Sequence, residues 1–225
     1  MRLLAIDTST WWGGVALVEI RDARPHVAAE IGLYVEDSHA ARTLAAVETV
    51  LAIAGWPKES LDAYAAVRGP GAFTGIRVAL GLVRGLAIAS GRPCAGVGTL
   101  EAMAEALGPA AAERVPLIDA GRGEVYGARF DASGSPPGTI EPAWVGDPSL
   151  ALAGGRDAVV FGSGASVHEA RLRDAGYRGA IGRAPTSVAA GAARIALDRL
   201  AANPGRDVDL EPLYVRPSDA EVKHR

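Results

Sequence analysis

Two aspartates close apolar runs at matching points of this chain. Leu3-Leu4-Ala5-Ile6 ends at Asp7, and Val115-Pro116-Leu117-Ile118 ends at Asp119. Each is followed by a short turn, Thr8-Ser9-Thr10 in the first case and Ala120-Gly121-Arg122-Gly123 in the second. A turn that presents backbone N–H groups beside a carboxylate can grip an anion, with the carboxylate placing a metal or water. Between the two lies Arg68-Gly69-Pro70-Gly71-Ala72-Phe73-Thr74-Gly75. Its glycines and proline make a tight loop between a strand and a helix, and amides at a helix N-terminus invite an anion. No Lys follows the last glycine, so it is not a Walker loop. The glycine spacing is also wrong for a dinucleotide fingerprint. Other reactive groups are sparse. Cys94, the sole cysteine, is flanked by Pro93, Ala95 and Gly96 and reads as a buried strand residue. Ser9 and Ser163 lack the Gly-x-Ser-x-Gly elbow of a nucleophile. The four histidines, His26, His39, His168 and His224, are scattered, so no metal site is expected.

The elements that must position these groups follow from periodicity. Strands are expected at 3–6, 14–18 and 27–33, joined by short turns as an antiparallel meander. Ser38 is placed as the N-cap of a helix to Ala54, with Leu44, Val47, Leu51 and Ala54 as its apolar stripe. Gly55 and Pro57 stop it. Residues 63–67 read as a buried strand, 76–90 as a second long helix, 94–97 as a strand, and Thr99 as the cap of a helix to Leu107. Strands at 115–119, 125–130 and 158–161 follow, with 133–138 as a loop. Helices at 166–175 and 186–202 and an apolar segment at 213–215 complete the chain.

Composition narrows the function classes. Of 225 residues, 49% are hydrophobic and 22% charged, which is ordinary for a chain that buries a core. The net charge is −3, so the chain lacks the basic excess of a stand-alone nucleic-acid binder. The opening apolar run stops at Asp7, so it is not read as a signal peptide. No run approaches the roughly 18 uninterrupted apolar residues of a membrane span. With one cysteine, these features predict a cytoplasmic protein with no membrane partner.

The repeated strand–Asp–turn–strand unit resembles the paired hairpins of the actin, heat-shock chaperone and sugar-kinase (ASKHA) fold. That resemblance implies a two-lobed α/β protein, each lobe a mixed sheet with flanking helices. The lobes are placed at 1–103 and 104–225, with about 204–218 as a stretch that could return to the first lobe. In that fold the two turns face each other across a cleft and hold nucleotide phosphates. Active members have a glycine two residues after the first Asp; here that position is Ser9, whose side chain narrows the approach. A degenerate nucleotide site at Asp7, Thr8, Ser9, Thr10, Asp119 and Gly121 is the corresponding expectation.

The segment Arg68–Gly75 with Ile76-Arg77-Val78 looks like the signature of the TsaB, or YeaZ, family. So do Leu3-Leu4-Ala5-Ile6-Asp7-Thr8-Ser9-Thr10, His39-Ala40-Ala41-Arg42-Thr43-Leu44, Val97–Ala102, Leu117–Tyr126 and Pro212–Arg216. The resemblance is dense to about residue 130 and thinner after it. It implies a non-catalytic subunit of the complex that forms N6-threonylcarbamoyladenosine at position 37 of tRNAs reading ANN codons. It further implies pairing with a catalytic TsaD-type paralogue, a TsaE-type ATPase as a further member, and tRNA met through the complex. ATP and threonylcarbamoyl-adenylate are used by the complex, with no cofactor assigned to this chain. The paralogue holds its metal with two His one helical turn apart, a pair missing here. Gly81 and Gly85 lie on one face of the helix at 76–90, where glycine costs up to about 1 kcal/mol against alanine, and so suggest a close neighbour. That neighbour is either this chain's own sheet or a partner. The family resemblance favours a partner, met by His39, Leu44, Val47, Leu51, Arg77, Gly81, Arg84 and Gly85; the same surface could make a homodimer when the partner is absent. An active kinase or ATPase of the same fold and a peptidase are the rival readings.

Overall fold

The computed structural model describes residues 1–35 and 39–216, with side chains for all of these except His39 and Ala40. The expected cap Ser38 lies outside the described residues, as does His224.

Strand β1 (Arg2–Asp7) is the centre of the first sheet. Strands β2 (Trp12–Arg21) and β3 (Arg24–Tyr34) add on one side as an antiparallel meander. Strands β4 (Ala63–Val67) and β5 (Cys94–Val97) add in parallel on the other, giving the order β3-β2-β1-β4-β5. Parallel neighbours need crossovers. Helices α1 (His39–Ala54) and α2 (Phe73–Ser90) supply them and cover one face. Because β1 is covered on both faces its interior, Leu3 to Ile6, is apolar throughout. Its side chains alternate, Leu4 and Ile6 toward α1 and α2, Leu3 and Ala5 toward the opposite core.

The second sheet contains β6 (Arg114–Gly121), β7 (Glu124–Phe130), β8 (Thr139–Gly146) and β9 (Val159–Phe161), in the order β8-β7-β6-β9. Its antiparallel and parallel pairings repeat those of β3-β2-β1-β4. Asp7 and Asp119 therefore occupy equivalent places in two related lobes, which is the mixed α/β ASKHA architecture. Helix α3 (Thr99–Leu107) lies between the sheets, and one core runs from Leu3 and Ala5 through Leu100 and Met103 to Ile118 and Phe130.

Several details depart from the sequence expectations. Strand β8 falls in a stretch where no strand is expected; it contains Pro142, which cannot donate to a ladder and is tolerated because β8 is an edge strand. Helix α2 starts at Phe73 rather than at 76, since Ala72 is the extended cap and Ile76 N–H already bonds Ala72 O. Thr99 is not a cap: Gly98 is, and Thr99 is the first helical residue. The helix at 166–175 is two short ones, α4 (Ser163–Val167) and α5 (Glu169–Asp174), with His168 between them at φ −106° and ψ 23°. Gly164 holds α4 against β6, where a Cβ would stand 2.9 Å from Ile118 C.

The division at 103 cuts through α3. Helix α6 (Ala189–Ala202), assigned by that division to the second lobe, packs on β1, β2, β4 and β5 of the first. A small residue also lets α3 approach it closely: a Cβ on Gly191 would lie 2.5 Å from Ala102 O. The return of the chain thus begins with α6. It continues as Val208 bridges Ala95 and Leu213 N–H bonds Arg68 O at 2.8 Å. The apolar segment 213–215 lies in that returning strap.

Candidate functional site

The turn after β1 spends its polar groups on its own neighbours. Asp7 Oδ1 accepts from Ser9 N–H at 2.8 Å and Ser9 Oγ–H at 2.7 Å. Thr8 Oγ1 donates to Gly75 O at 2.6 Å, and Ala72 N–H donates to Ser9 O at 2.6 Å. The glycine-rich loop is therefore seated directly on the turn. A Cβ on Gly71 would fall 2.1 Å from Ser9 O, and one on Gly75 only 1.8 Å from Thr8 O. These glycines serve backbone-to-backbone contact with the first turn. Asp7 is 2% exposed, and burial pushes its carboxyl from the usual 3.8 up to about 6, against the pull of the two Ser9 hydrogen bonds.

The turn after β6 is open. Asp119 is 39% exposed; its Oδ1 meets Gly121 N–H at 3.4 Å and His168 Nε2 at 3.0 Å. Asp119 N–H donates to Ser163 Oγ at 3.3 Å. Gly121, Arg122 and Gly123 have φ of 68°, 58° and 77°, the left-handed bend that turns the hairpin.

The two turns face one cleft of about 700 Å³, lined by Ser9, Thr10, Trp11, Asp119, Tyr126 and Val167 among others. A narrower pocket of about 70 Å³ opens from it and reaches Asp7 and Thr99. Thr8 is buried beneath the loop, and Gly121 lines a separate groove beside Tyr214 and Arg216. Among the described residues lining the cleft and its inner pocket there is no Lys, Arg or His. Cys94 is buried beside Asp207 Oδ1 at 3.4 Å; burial first, then that carboxylate, pushes the thiol up to about 12, so it is no nucleophile at neutral pH. His168 is bound to Asp119 and not to Ser163, and the described residues hold no group of three metal-ligating side chains.

The outer face of α1 and α2 is the second candidate. The buried stripe of α1 is Thr43, Ala46, Val47 and Val50. Val47 thus packs on this chain's own sheet, and Leu51 is partly buried there, so both drop from the expected partner surface. Leu44 points out. Gly81 and Gly85 are exposed, with nothing within 4 Å of a Cβ built on either, so they do not pack on their own sheet. Arg77 and Arg84 are exposed but engaged. Arg77 stacks over Phe73 at 3.8 Å and donates to Tyr214 OH at 3.1 Å, and Arg84 donates to Leu210 O and pairs with Glu211. The sequence reading missed Ile53, 66% exposed, and Ile88, 84% exposed. Ile88 continues the Gly81–Gly85 row one turn on, which was the available signal. Helix α2 is also long and apolar enough by composition to cross a membrane, with mean hydropathy 1.4 over 18 residues. Its Ile76, Ala79, Leu80, Val83 and Ala87 nevertheless pack on the sheet, which leaves apolar surface on the opposite side.

Comparison with known proteins agrees with this geometry. The family model of the tRNA N6-adenosine threonylcarbamoyltransferase TsaD matches residues 33–137. The Escherichia coli protein called tRNA threonylcarbamoyladenosine biosynthesis protein TsaB is 39% identical over 132 residues, 58% of this chain and 55% of that one. The Haemophilus influenzae TsaB is 38% identical, and these two matches span only about half the length of those relatives. The Bacillus subtilis TsaB is 30% identical over 193 residues, 82% of this chain and 81% of its own. YeaZ from Pseudomonas aeruginosa superposes with a TM-score of 0.76 at 28% identity, over 95% of this chain and 99% of that structure. A second Pseudomonas aeruginosa structure, described as similar to peptidase YeaZ, gives 0.78 at 28% identity over 96% and 99%. Such a match along nearly the whole fold, with the signature loop lying on the first turn, means that this chain belongs to the TsaB (YeaZ) family.

Proposed function

We propose that this protein is the non-catalytic docking and activating subunit of the assembly that makes N6-threonylcarbamoyladenosine at position 37 of tRNAs reading ANN codons. Its partner is a TsaD-type transferase, seated on the outer face of α1 and α2. The observation that carries this reading is the outward-facing Gly81–Gly85 pair, framed by the exposed Ile53 and Ile88. Two glycines one turn apart on an exposed helix destabilise it unless another backbone comes close. Exposed isoleucines of this size mark a surface that is covered in use. A partner related in fold offers matching helices and a four-helix contact. The names of the relatives point to the same process.

The first turn supports the subordinate role. Its Ser9 amide is taken by Asp7 and its Ser9 carbonyl by the signature loop, and the cleft wall carries no Lys, Arg or His among the described residues. ATP, threonylcarbamoyl-adenylate, the TsaE-type ATPase and tRNA are accordingly assigned to the complex. The decisive test is reconstitution of the modification with and without this chain, scoring modified adenosine. Gly85→Leu should leave the fold intact, since the site is open, and weaken partner affinity by at least about tenfold, or 1.4 kcal/mol. Unchanged affinity in the folded variant would refute docking at this face.

A further inference from the structure

The inner end of the cleft holds a polar group that the fold leaves without a partner. Thr99 is 1% exposed, and its Oγ1 has no hydrogen-bond partner. A buried hydroxyl in that state is costly, and native proteins keep few of them. The pocket that Thr99 lines also holds Asp7, whose hydrogen bonds all arrive at Oδ1, and Ser163. Trp11, Trp12, Met103, Ile118 and Val188 make the rest of the wall largely apolar. At about 70 Å³ the pocket admits a group of a few atoms. Through Thr10, Trp11, Ile118 and Ser163 it joins the outer cleft of about 700 Å³, large enough for a ring system. Trp11, 65% exposed, stands on the wall common to both.

The sign of the charge selects the ligand. Among the described residues an anion would find no Lys, Arg or His on either wall, two carboxylates in Asp7 and Asp119, and a first turn on which the signature loop is seated. A cation with several N–H donors finds the Asp7 carboxylate and the Thr99 and Ser163 hydroxyls, each able to accept. We propose that the composite cavity binds a primary ammonium group carried on an apolar body. The ammonium enters the inner pocket and donates to the Asp7 carboxylate, the Thr99 hydroxyl and the Ser163 hydroxyl, one donor for each of its three protons. The apolar body lies in the outer cleft against Trp11, whose π-face also favours a nearby cation. Binding supplies the missing partner of Thr99 and neutralises a carboxylate that burial otherwise disfavours. The inference does not depend on what covers α1 and α2.

Matched probes test it on the full chain at pH 7.5, by calorimetry and thermal shift. Tryptamine, tryptophol and indole-3-propionate share one ring and differ in charge at the end of the side chain; magnesium ATP is the fourth probe. Tryptamine should bind with one-to-one stoichiometry and at least about tenfold more tightly than tryptophol, a difference of 1.4 kcal/mol. Indole-3-propionate and magnesium ATP should not bind. Trp11→Ala, at an exposed position, and Thr99→Val, a change of similar shape, should each weaken tryptamine by about tenfold. Without ligand, Thr99→Val should hold or raise Tm, because it removes an unpartnered hydroxyl. Equal binding of the neutral or anionic analogue overturns the proposal. So does ATP binding in this cleft, or undiminished tryptamine affinity in both folded variants.

Discussion

The two hairpins that face the cleft begin alike and end in different environments. Arg2 and Asp7 in β1 stand five residues apart, as do Arg114 and Asp119 in β6. In the first lobe the arginine is at the surface, stacked on Trp56 at 4.4 Å and paired with Glu19 at 3.4 Å, while the aspartate is buried. In the second lobe the order is reversed. Arg114 is fully buried and donates to Asp131 Oδ1 and to the carbonyls of Ala104, Gly108, Asp131 and Gly134, while Asp119 is open. The same local pattern thus carries a structural charge at opposite ends in the two lobes. What decides the role is the neighbour: the backbone of loop 68–75 closes the first turn, whereas the second is met by single side chains, Arg216 on Ala120 O and Arg171 on Gly123 O.

The largest effect should come from breaking the buried end of the second lobe. Arg114→Met leaves several carbonyls unpaired in the interior and should cost about 3–5 kcal/mol in urea unfolding. Its counterpart Arg2→Met, on a solvent-facing pair, should leave the midpoint nearly unchanged. Comparable losses from the two substitutions would show that the reversal is not real. The glycines sharpen the contrast at the other end. Gly75→Ala forces a Cβ into the Thr8 carbonyl and should cost about 3 kcal/mol or more, measured the same way. Gly121→Ala meets open space and bears only the left-handed backbone penalty of about 1–2 kcal/mol.

The aspartates give a smaller effect than Arg114 or Gly75, and Asp7 one of opposite sign. Asp7 has a folded-state value near 6 against 3.8 when free, so the native state holds its proton more strongly. Its relative stabilisation is present below about pH 4 and gone above about pH 6. At pH 7 the buried carboxylate is a liability, so Asp7→Asn should raise stability by roughly 1–3 kcal/mol and flatten the profile between pH 4 and 6. Asp119→Asn, at an exposed pair, should change stability by under about 1 kcal/mol. A loss of stability in Asp7→Asn at pH 7 would mean that the carboxylate has a cationic partner in the unliganded protein.

Much of the fold was readable because its signals are local. The β1 to β5 strands and both long helices follow from apolar runs and from Gly55 and Gly91, which occupy left-handed positions just past α1 and α2. Strand β8 was hidden by Pro142, which is neutral only because no strand lies beyond it. The apolar stripe of α1 was read one residue off, with Leu44 turned outward and Thr43 inward, because alanines and leucines alternate too closely to mark an edge. The candidate site was legible as residue types but not as geometry. Gly71 and Gly75 stood out as a loop, yet that they fit against Ser9 and Thr8 depends on contacts some 60 residues apart in sequence.

By itself, then, the chain's order of residues determined the repeated strand–Asp–turn unit, the helix ends and the family signature, since each rests on backbone preferences over a few neighbouring residues. Only the tertiary structure decided which aspartate is buried, that Thr99 is left without a partner, that Gly81 and Gly85 face outward, and that α6 returns to the first sheet. Those outcomes depend on which surfaces meet after long loops close, and burial and hydrogen-bond satisfaction exist only once they have met.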